Sequence, residues 1–503
     1  MTRPRLPLSG LDRDTVNSRL VASAASDVDY KGGRTWSLVY WVDDQHHARC
    51  ERAQSLFMDT NALNPMAFKS LKQMEYEVVQ MTAGMLNGPD TAVGTMTSGG
   101  TESLLLAVKT YRDRMKSKRP WILRPNIVVP ASIHVAFDKA CHFFGVTKKV
   151  APVLDDGRVD VDAMRRLVDR NTVMLAASAP QYPWGSMDPI PEVGALALER
   201  GLPLHVDACF GGFMLPWLER LGVELPAWDF RVPGVTSISA DLHKYGYAPK
   251  GSSVIVYRDM GLLRHQFFVA AGWSGGIYVS PSIPGTRSGG AIASAWTSLM
   301  SLGEDGFMRL AVGALAASRE LREGISKIEG LRLLGRPDAT IVTWASSHES
   351  VDVYAVADRM AARGWPMDRQ QDPPSIHMTV NAVNRPVVPE YLADLAACVA
   401  EVRANPGLRK EGEAAVYGLM AKIPLKGLVE REVLKVMEQM YAADGGETKL
   451  ESAGAAGSGR AVQQIVDRYG DRIFGALERV KQVRTELRKR LGKLRFGGRR
   501  SRP

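Results

Sequence analysis

The feature that most constrains the fold is an alternation of short apolar runs and helical patterns between about residues 63 and 330. The apolar runs are four to six residues long and rich in β-branched side chains. Strands that alternate with helical segments are typical of βαβ units, in which crossover helices connect parallel strands. The sequence therefore predicts an α/β domain around a largely parallel sheet. The candidate strands are 126–130, 172–177, 202–206, 235–238 and 253–257.

A second, smaller region follows a helical stretch that ends near residue 328. Its apolar runs at 340–344 and 377–380 flank a helical pattern at 353–363, which predicts a small α+β domain. The chain is thus predicted to comprise an N-terminal extension (1–60), a large domain (61–330), a small C-terminal domain (331–443), a flexible Gly/Ala/Ser-rich linker (444–460) and a basic amphipathic helical tail (461–503).

Composition narrows the class of protein. Of the 503 residues, 45% are hydrophobic and 23% are charged, which is typical of a globular protein with a large core. Because the four cysteines form no Cys-x-x-Cys pair, neither a disulfide framework nor a zinc site is expected. The first thirty residues hold four aspartates, and no run of about 18 apolar residues occurs elsewhere. A soluble, cytoplasmic protein is therefore expected.

The positive charge is concentrated in the tail. Residues 461–503 hold 13 Lys/Arg against 4 Asp/Glu, a net charge of +9, so the rest of the chain carries only +1. Apolar residues recur there every seven positions and form one stripe on a helix. The tail suits a coiled-coil partner or a weak contact with an anionic membrane surface, or it is simply a solvated helix. Few aromatic residues interleave its charges, so nucleic acid is not the expected partner.

A glycine-rich turn precedes the helical pattern at 103–114. It consists of Thr97-Ser98-Gly99-Gly100-Thr101-Glu102. Glycines allow close approach of the backbone, and the free N–H groups of a helix start, with the Thr101 hydroxyl, suit a phosphate group. The same residues can also form a plain helix cap with Glu102 as the capping carboxylate.

Two further side chains follow candidate strands. Asp207 comes directly after the run at 202–206, at the sheet edge where open α/β sheets bind ligands. A carboxylate buried there needs a cationic partner, although an Asp that only caps the next turn is the alternative. His134 follows the run at 126–130 and begins a helix, so its ring is directed to the same edge, either to stack on a ligand or simply to start the helix.

The most informative segment runs from Ser239 to Lys250 between two candidate strands. A lysine in such a place is most often a solvated surface residue. Here, however, Ser239 and His243 can hydrogen-bond a phosphate, and Lys244 lies on a loop where burial can lower its pKa for imine formation. Together with the glycine turn, His134 and a carboxylate suited to a pyridinium nitrogen, these residues predict pyridoxal 5′-phosphate as the cofactor.

Three segments resemble the sphingosine-1-phosphate lyase branch of the group II decarboxylase-like family: Ser-Gly-Gly-Thr-Glu at 98–102, Val-Asp-Ala-Cys-Phe-Gly-Gly-Phe at 206–213 and Asp-Leu-His-Lys-Tyr-Gly-Tyr-Ala-Pro-Lys-Gly at 241–251. The similarity extends from about residue 39 to 419. It implies the fold-type I, aminotransferase-like fold of pyridoxal-dependent transferases. It also implies that Lys244 is the Schiff-base lysine, Asp207 the pyridinium partner and His134 the stacking ring. The implied phosphate ligands are Gly100, Thr101, Ser239 and His243, and Gly99 is a further implied cofactor-binding residue.

The same resemblance implies a homodimer with shared active sites. The segment 285–290, Gly-Thr-Arg-Ser-Gly-Gly, is similar to the family's loop that reaches the cofactor of the neighbouring subunit, with Thr286 and Arg287 in contact with it. For catalysis the resemblance adds Tyr182, and for substrate binding it adds Tyr40, Asn61, Asn64, Lys250 and Tyr417. The family's Asn-x-Leu-His is Asn61-Ala-Leu-Asn64 here, and because Asn carries no charge, a weaker hold on phosphate is expected.

The implied reaction is a retro-aldol cleavage of a phosphorylated sphingoid base to a long-chain aldehyde and phosphoethanolamine. Tyr182, Tyr417 and the freed Lys244 are all candidates for removing the C3-hydroxyl proton. An amino-acid decarboxylase of the same fold is the first alternative because it uses the same electron sink, but Lys250 and Tyr40 suit a phosphate. A neighbouring aldolase or carbon–sulfur lyase reaction, or a protein that acts mainly through its tail, also remains open. No metal is expected.

Overall fold

The computed structural model describes residues 5–25, 27–64, 66–336, 338–420 and 426–441. The predicted linker and the basic tail lie outside these residues. The described helices are α1 (Arg13–Ala24), α2 (Asp44–Leu56), α3 (Lys69–Met85), α4 (Gly100–Lys118), α5 (Ala136–Phe144), α6 (Val161–Leu167), α7 (Ile190–Arg200), α8 (Leu215–Arg220), α9 (Met260–Leu263), α10 (Gly289–Ser326), α11 (Val353–Ala361), α12 (Val388–Ala404), α13 (Gly412–Met420) and α14 (Lys426–Met440). The described strands are β1 (Val93–Thr97), β2 (Asn126–Pro130), β3 (Thr147–Ala151), β4 (Thr172–Ser178), β5 (Leu204–Asp207), β6 (Val235–Ala240), β7 (Ser253–Tyr257), β8 (Phe268–Trp273), β9 (Gly276–Ser280), β10 (Leu331–Leu333), β11 (Ile341–Ser346), β12 (Asp368–Gln371) and β13 (Pro374–Thr379).

A seven-stranded sheet forms the centre of the fold. Its strand order is β1-β7-β6-β5-β4-β2-β3. Strands β6, β5, β4, β2 and β3 are parallel to one another. Strand β7 is antiparallel to both of its neighbours, β6 and β1, so β1 runs in the same direction as the other five. The five strands predicted in this region are confirmed as β2, β4, β5, β6 and β7. Every residue of β2, β4, β5 and β7 is buried, as expected of central strands in a sheet that is covered on both faces.

Short-range signals set the ends of the crossover helices. Both α5 and α7 end at a glycine with positive φ, Gly145 at 63° and Gly201 at 60°, a conformation that side chains with a Cβ avoid. The first turn of α4 contains Glu102 and its last turn Lys116 and Lys118, so both ends complement the helix dipole. The long α10 is interrupted at Gly303, whose φ of 59° is not helical.

Two smaller sheets complete the strands. An antiparallel sheet of order β10-β11-β13-β12 contains the strands predicted at 340–344 and 377–380, now bounded as β11 and β13. The helix predicted at 353–363 is confirmed as α11. The other sheet is a hairpin of β8 and β9. The sequence did not predict it, because nearly all of its side chains are exposed or half-buried and so show no alternation of apolar and polar residues.

The chain divides into two compact units. Of the described residues, the larger unit comprises 27–64, 66–336, 338–351 and 359–401, and the smaller unit comprises 5–25, 352–358, 402–420 and 426–441. The predicted domain boundaries at residues 60, 330, 443 and 460 stay predictions. None of the described helices combines the length and apolarity needed to cross a bilayer.

Candidate active site

A cavity of about 370 Å³ opens where β1, β2, β4, β5 and β6 end. This is the edge at which open α/β sheets bind ligands. Strand order brings the end of each strand beside the next, so residues far apart in sequence meet there. The predicted site residues that line this cavity are Gly99, Gly100, Thr101, His134, Tyr182, Asp207, His243 and Lys244.

The glycine-rich turn forms one wall at the start of α4. Gly99 is the N-cap residue, and no side-chain hydrogen bond caps the helix there. Glu102 does not cap the helix but holds the preceding turn, since its Oε2 accepts the backbone N–H and the hydroxyl of Ser98, both at 2.7 Å. A Cβ on Gly100 would lie 2.7 Å from Asp241 Oδ2 and 2.8 Å from Cys209 Sγ. Because the start of α4 lies so close to Asp241 and Cys209, only glycine fits at position 100, and the backbone itself lines the cavity there.

Asp207 ends β5 and faces the cavity with 7% of its surface exposed. Its Oδ1 accepts the backbone N–H of Cys209 at 3.1 Å. The Asp207 carboxylate therefore caps the following turn and also lines the cavity, so capping the turn does not prevent it from facing a ligand.

Ser239 is fully buried on the neighbouring β6 and is not one of the residues that line the cavity. Its hydroxyl lies 3.3 Å from His205 Nε2 and 3.4 Å from Cys209 Sγ. Burial lowers the pKa of His205 to about 4, so this contact is made by a neutral imidazole.

Lys244 is held by a carboxylate that the sequence did not single out. Its Nζ lies 2.8 Å from Asp241 Oδ2 and 3.9 Å from the centroid of the Phe210 ring. Burial disfavours the ammonium form, but Asp241, with smaller contributions from Cys209 and Asp207, outweighs burial and holds the pKa of Lys244 above its ordinary value. The expectation that burial lowers this pKa is therefore wrong for the cofactor-free protein, because the loop that buries the lysine also supplies its counter-ion.

A second lysine, Lys250, lies on the same loop under the opposite influence. Lys250 is exposed as a residue, but partial desolvation of its ammonium group, and after it the charge of Lys244, lowers the pKa of Lys250 to about 8. Its Nζ lies 5.4 Å from the centroid of the Tyr40 ring, within cation–π range. Burial raises the pKa of Tyr40, so that phenol is neutral. Lys250 is thus an ammonium at neutral pH that loses its charge in mildly alkaline solution.

Aromatic rings line another part of the cavity. Tyr182 lies 6.3 Å from His134, 5.6 Å from Phe210 and 4.1 Å from His377, measured between ring centroids. His134 Nδ1 accepts the Ala136 backbone N–H at 3.1 Å, which fixes the orientation of that ring. Burial raises the pKa of Tyr182 and lowers that of His377 to about 3, so both rings are uncharged.

Four predicted residues lie elsewhere, close to one another and apart from the lining of this cavity. Asn61 pairs through a β-bridge with Ser288, next to Arg287. The Arg287 guanidinium donates to the Glu75 carboxylate through both terminal nitrogens, while Thr286 is exposed. Asn64 Oδ1 accepts the backbone N–H groups of Met66 and Ala67. These four residues and those that line the cavity thus form two separate groups in the described chain.

The remaining predicted residue, Tyr417, belongs to the smaller unit. It lies on α13, and its ring centroid is 5.5 Å from that of Tyr354.

Sequence analysis did not assign three residues that contact site side chains: Asp241, Phe210 and His377. A signal existed for each. Asp241 stands three positions before the candidate lysine, Phe210 three positions after the candidate aspartate, and His377 within an apolar strand, where a buried imidazole is unusual. None has a spacing that indicates a role without the fold.

Residues 57–345 match the pyridoxal-dependent decarboxylase conserved domain, which defines the class of enzyme. A sphingosine-1-phosphate lyase from Arabidopsis thaliana is 42% identical over 86% of this chain and 79% of its own length. Sphingosine-1-phosphate lyase 1 of Rattus norvegicus is 40% identical over 87% of this chain and 77% of its own length. A solved structure of the lyase from Burkholderia pseudomallei has a TM-score of 0.76 at 40% identity, covering 80% of this chain and 94% of that one. The chain belongs to the sphingosine-1-phosphate lyase family of pyridoxal-dependent enzymes.

These comparisons confirm the predicted fold class and the predicted cofactor. The cavity also fits pyridoxal phosphate on its own geometry. It offers a primary amine at Lys244, a buried carboxylate at Asp207 and, at the start of α4, backbone that can approach a ligand closely because residue 100 is glycine. An aldehyde, a pyridinium nitrogen and a phosphate are the groups that these three features suit.

Proposed function

We propose that this protein is a lyase that cleaves sphingosine 1-phosphate or a similar phosphorylated sphingoid base. The products are a long-chain aldehyde and phosphoethanolamine, formed by retro-aldol cleavage. The observation that carries this proposal is the meeting of Lys244, Asp207 and His134 with the glycine turn of α4 in one cavity. Relatives that bear the name of this activity match most of the chain.

Lys244, Asp207 and His134 are the proposed centre of catalysis. Bound pyridoxal phosphate supplies the electron sink for the bond that breaks. Lys244 would hold the cofactor through its side-chain amine. Asp207, oriented by the Cys209 N–H, keeps a proton on the ring nitrogen, and His134, oriented by the Ala136 N–H, offers a flat face for stacking.

The cofactor phosphate is proposed to lie against the start of α4. Gly99, Gly100 and Thr101 offer backbone N–H groups there, and His243 offers a ring nitrogen. His243 Nδ1 accepts the Ser252 backbone N–H at 3.2 Å, so its Nε2 is the nitrogen left to donate. For Ser239 to take part, its hydroxyl has to exchange its contacts with His205 and Cys209 for the phosphate.

The substrate phosphate is proposed to bind Lys250 beside Tyr40. With a pKa of about 8, Lys250 is mostly an ammonium at neutral pH and attracts an anion. Asn61 and Asn64 are proposed to contribute hydrogen bonds. Because Asn64 Oδ1 is already engaged by two backbone N–H groups, its amide nitrogen is the part that can donate to a phosphate.

Tyr182 is the proposed partner of the C3-hydroxyl proton. Its ring lines the cavity, and burial raises the pKa of its phenol, so Tyr182 carries a proton of its own. Tyr182 can therefore take the C3-hydroxyl proton only while it gives its phenolic proton to a base, for which the freed Lys244 amine is available. Tyr417 and the freed Lys244 remain the other candidates, and single substitutions separate the three.

A homodimer with shared sites is the second part of the proposal. The β8–β9 hairpin leads into the loop that carries Thr286 and Arg287, and contiguous exposed apolar side chains mark interaction surfaces. Arg287 is bound to Glu75 of its own subunit, so it positions the loop, whereas exposed Thr286 can reach a neighbour. The exposed apolar side chains of the hairpin are Phe268, Val269, Trp273, Ile277 and Val279.

Subunit complementation tests the shared sites. Lys244→Ala and Thr286→Asp should each abolish activity, the second by placing a carboxylate where a phosphate is expected. Co-expressed and reassorted, half of the dimers carry both variants and one intact site each, so about a quarter of the wild-type activity should return. Activity that never exceeds that of the separate variants contradicts shared sites.

We also propose a cytoplasmic protein whose tail, residues 461–503, contacts anionic membrane surfaces weakly. Deletion of the tail should lower activity on substrate in anionic vesicles and leave activity on a soluble short-chain substrate unchanged. An equal effect on both substrates contradicts this role.

Spectroscopy with a product assay tests the main proposal. The purified protein should show the visible absorbance band of an imine, which Lys244→Ala should lack. Sphingosine 1-phosphate should perturb the band and yield aldehyde. A band that ignores the substrate, with carbon dioxide released from an amino acid, would instead identify a decarboxylase.

A further inference from the structure

The Lys244 ammonium forms an enclosed ion pair with Asp241. Asp241 directly follows β6, and only 2% of its surface is exposed. Its Oδ2 lies 2.8 Å from Lys244 Nζ. Gly100 packs against the carboxylate so closely that a Cβ there would lie 2.7 and 2.8 Å from its two oxygens. The start of α4 therefore packs directly against the Asp241 carboxylate.

The carboxylate has few other partners. Its Oδ1 is buried and has no hydrogen-bond partner in the described part of the chain. The His243 Nε2 is 3.7 Å from Oδ2, beyond hydrogen-bond distance. A buried carboxylate that loses its cation is costly to keep ionised. Any event that removes the charge of Lys244 must therefore also change the protonation of Asp241.

We propose that Asp241 is the positioning residue of Lys244, holding it over the cavity as an ammonium and accepting its proton when the nitrogen becomes a free amine. In that step one proton moves from Nζ to Oδ2. The negative and the positive charge disappear together, so the buried site keeps its net charge. The inference rests on the proposed function only in that Lys244 has to become a nucleophile.

Neighbouring charged groups shift the pKa values of Lys244 and Asp241. Asp207 reinforces the effect of Asp241, which already holds the Lys244 pKa above its ordinary value. Lys250 opposes it, because two ammonium groups repel. Burial raises the pKa of Asp241, but Lys244 and His243 together hold it below the ordinary value. The charges of the pair also act on Cys209, Tyr40 and His377. Further titratable residues that line the cavity beside the pair are Glu102, His134 and Tyr182.

Competitive labelling of the cofactor-free protein tests the inference directly. Trace acetic anhydride acetylates only neutral amines, so the yield of acetyl-Lys244, measured by peptide mass spectrometry across pH, reports the Lys244 pKa. An opposite charge at this distance is worth about one to three pH units. In Asp241→Asn, half-maximal labelling of Lys244 should therefore occur about one to three units lower than in the wild type, and at pH 8 the yield should rise roughly 10- to 1000-fold.

Asp229→Asn is the matched control. Asp229 is also fully buried and paired with a cation, Arg231, but it does not line the cavity. Its substitution should leave the labelling curve of Lys244 unchanged. An Asp241→Asn curve that coincides with the wild-type curve overturns the inference.

A second variant covers the case in which Asp241→Asn does not fold. Lys244→Met removes the cation, so Asp241 should be protonated in the folded state and its pKa should lie above the unfolded value. The stability of that variant should then fall, relative to the wild type, as pH rises from 5 to 8. A pH-independent difference contradicts the inference. Neither measurement uses cofactor or substrate, so neither depends on whether the lyase proposal holds.

Discussion

Gly100→Ala tests the close packing at the start of α4. The added Cβ would lie 2.7 to 2.8 Å from both Asp241 oxygens and from Cys209 Sγ, where ordinary contact begins at 3.4 Å. The helix start and the carboxylate must separate by roughly 0.6 Å, and overpacking of this kind costs about 1–3 kcal/mol. If that strain falls on the cofactor site, affinity for pyridoxal phosphate should drop about 5- to 150-fold.

Thermal unfolding of the cofactor-free protein and absorbance titration with pyridoxal phosphate measure both effects. Gly84→Ala is the control, because Gly84 lies in α3 with nothing within 4 Å of its would-be Cβ. That change should add up to about 1 kcal/mol of stability through helix propensity and leave affinity unaltered. A Gly100→Ala protein with wild-type stability and affinity would refute the packing argument.

Three further predictions concern protons. As pH rises through about 8, Lys250 loses its charge, so kcat/KM for a phosphorylated substrate should fall on the alkaline side, and Lys250→Arg should remove that limb. Tyr182→Phe should lower kcat about 10²- to 10⁴-fold with cofactor absorbance unchanged, and a larger loss in Tyr417→Phe would move the proton role to that residue. Burial raises the pKa of Asp188 to about 7, above its unfolded value, so its contribution to stability is present at acid pH and lost as pH rises through 7. The urea-unfolding difference between wild type and Asp188→Asn should therefore shrink from pH 5 to pH 8, and a constant difference would contradict the assignment.

The sequence predicted the central strands because their apolar runs are buried on both faces, and burial of that kind is visible in composition. It predicted the wall of the cavity at Gly99 and Gly100 because close backbone approach needs glycine. It missed the exposed β8–β9 hairpin, whose side chains carry no burial pattern. It also missed β1, since nothing in Val93–Thr97 indicates that this strand pairs with distant β7.

The sequence by itself determined the class of fold, the cofactor and the segments that approach it, because periodicity and local motifs are properties of neighbouring residues. Only the tertiary structure decided which carboxylate binds Lys244. Asp207 is the last residue of β5 and Asp241 directly follows β6, and both lie at the cavity, yet it is Asp241 that lies 2.8 Å from the ammonium. It also decided that Thr286 and Arg287 lie apart from the cavity lining of their own subunit. Such outcomes depend on strand order and side-chain direction, which are set by packing across the whole sheet and not by local spacing.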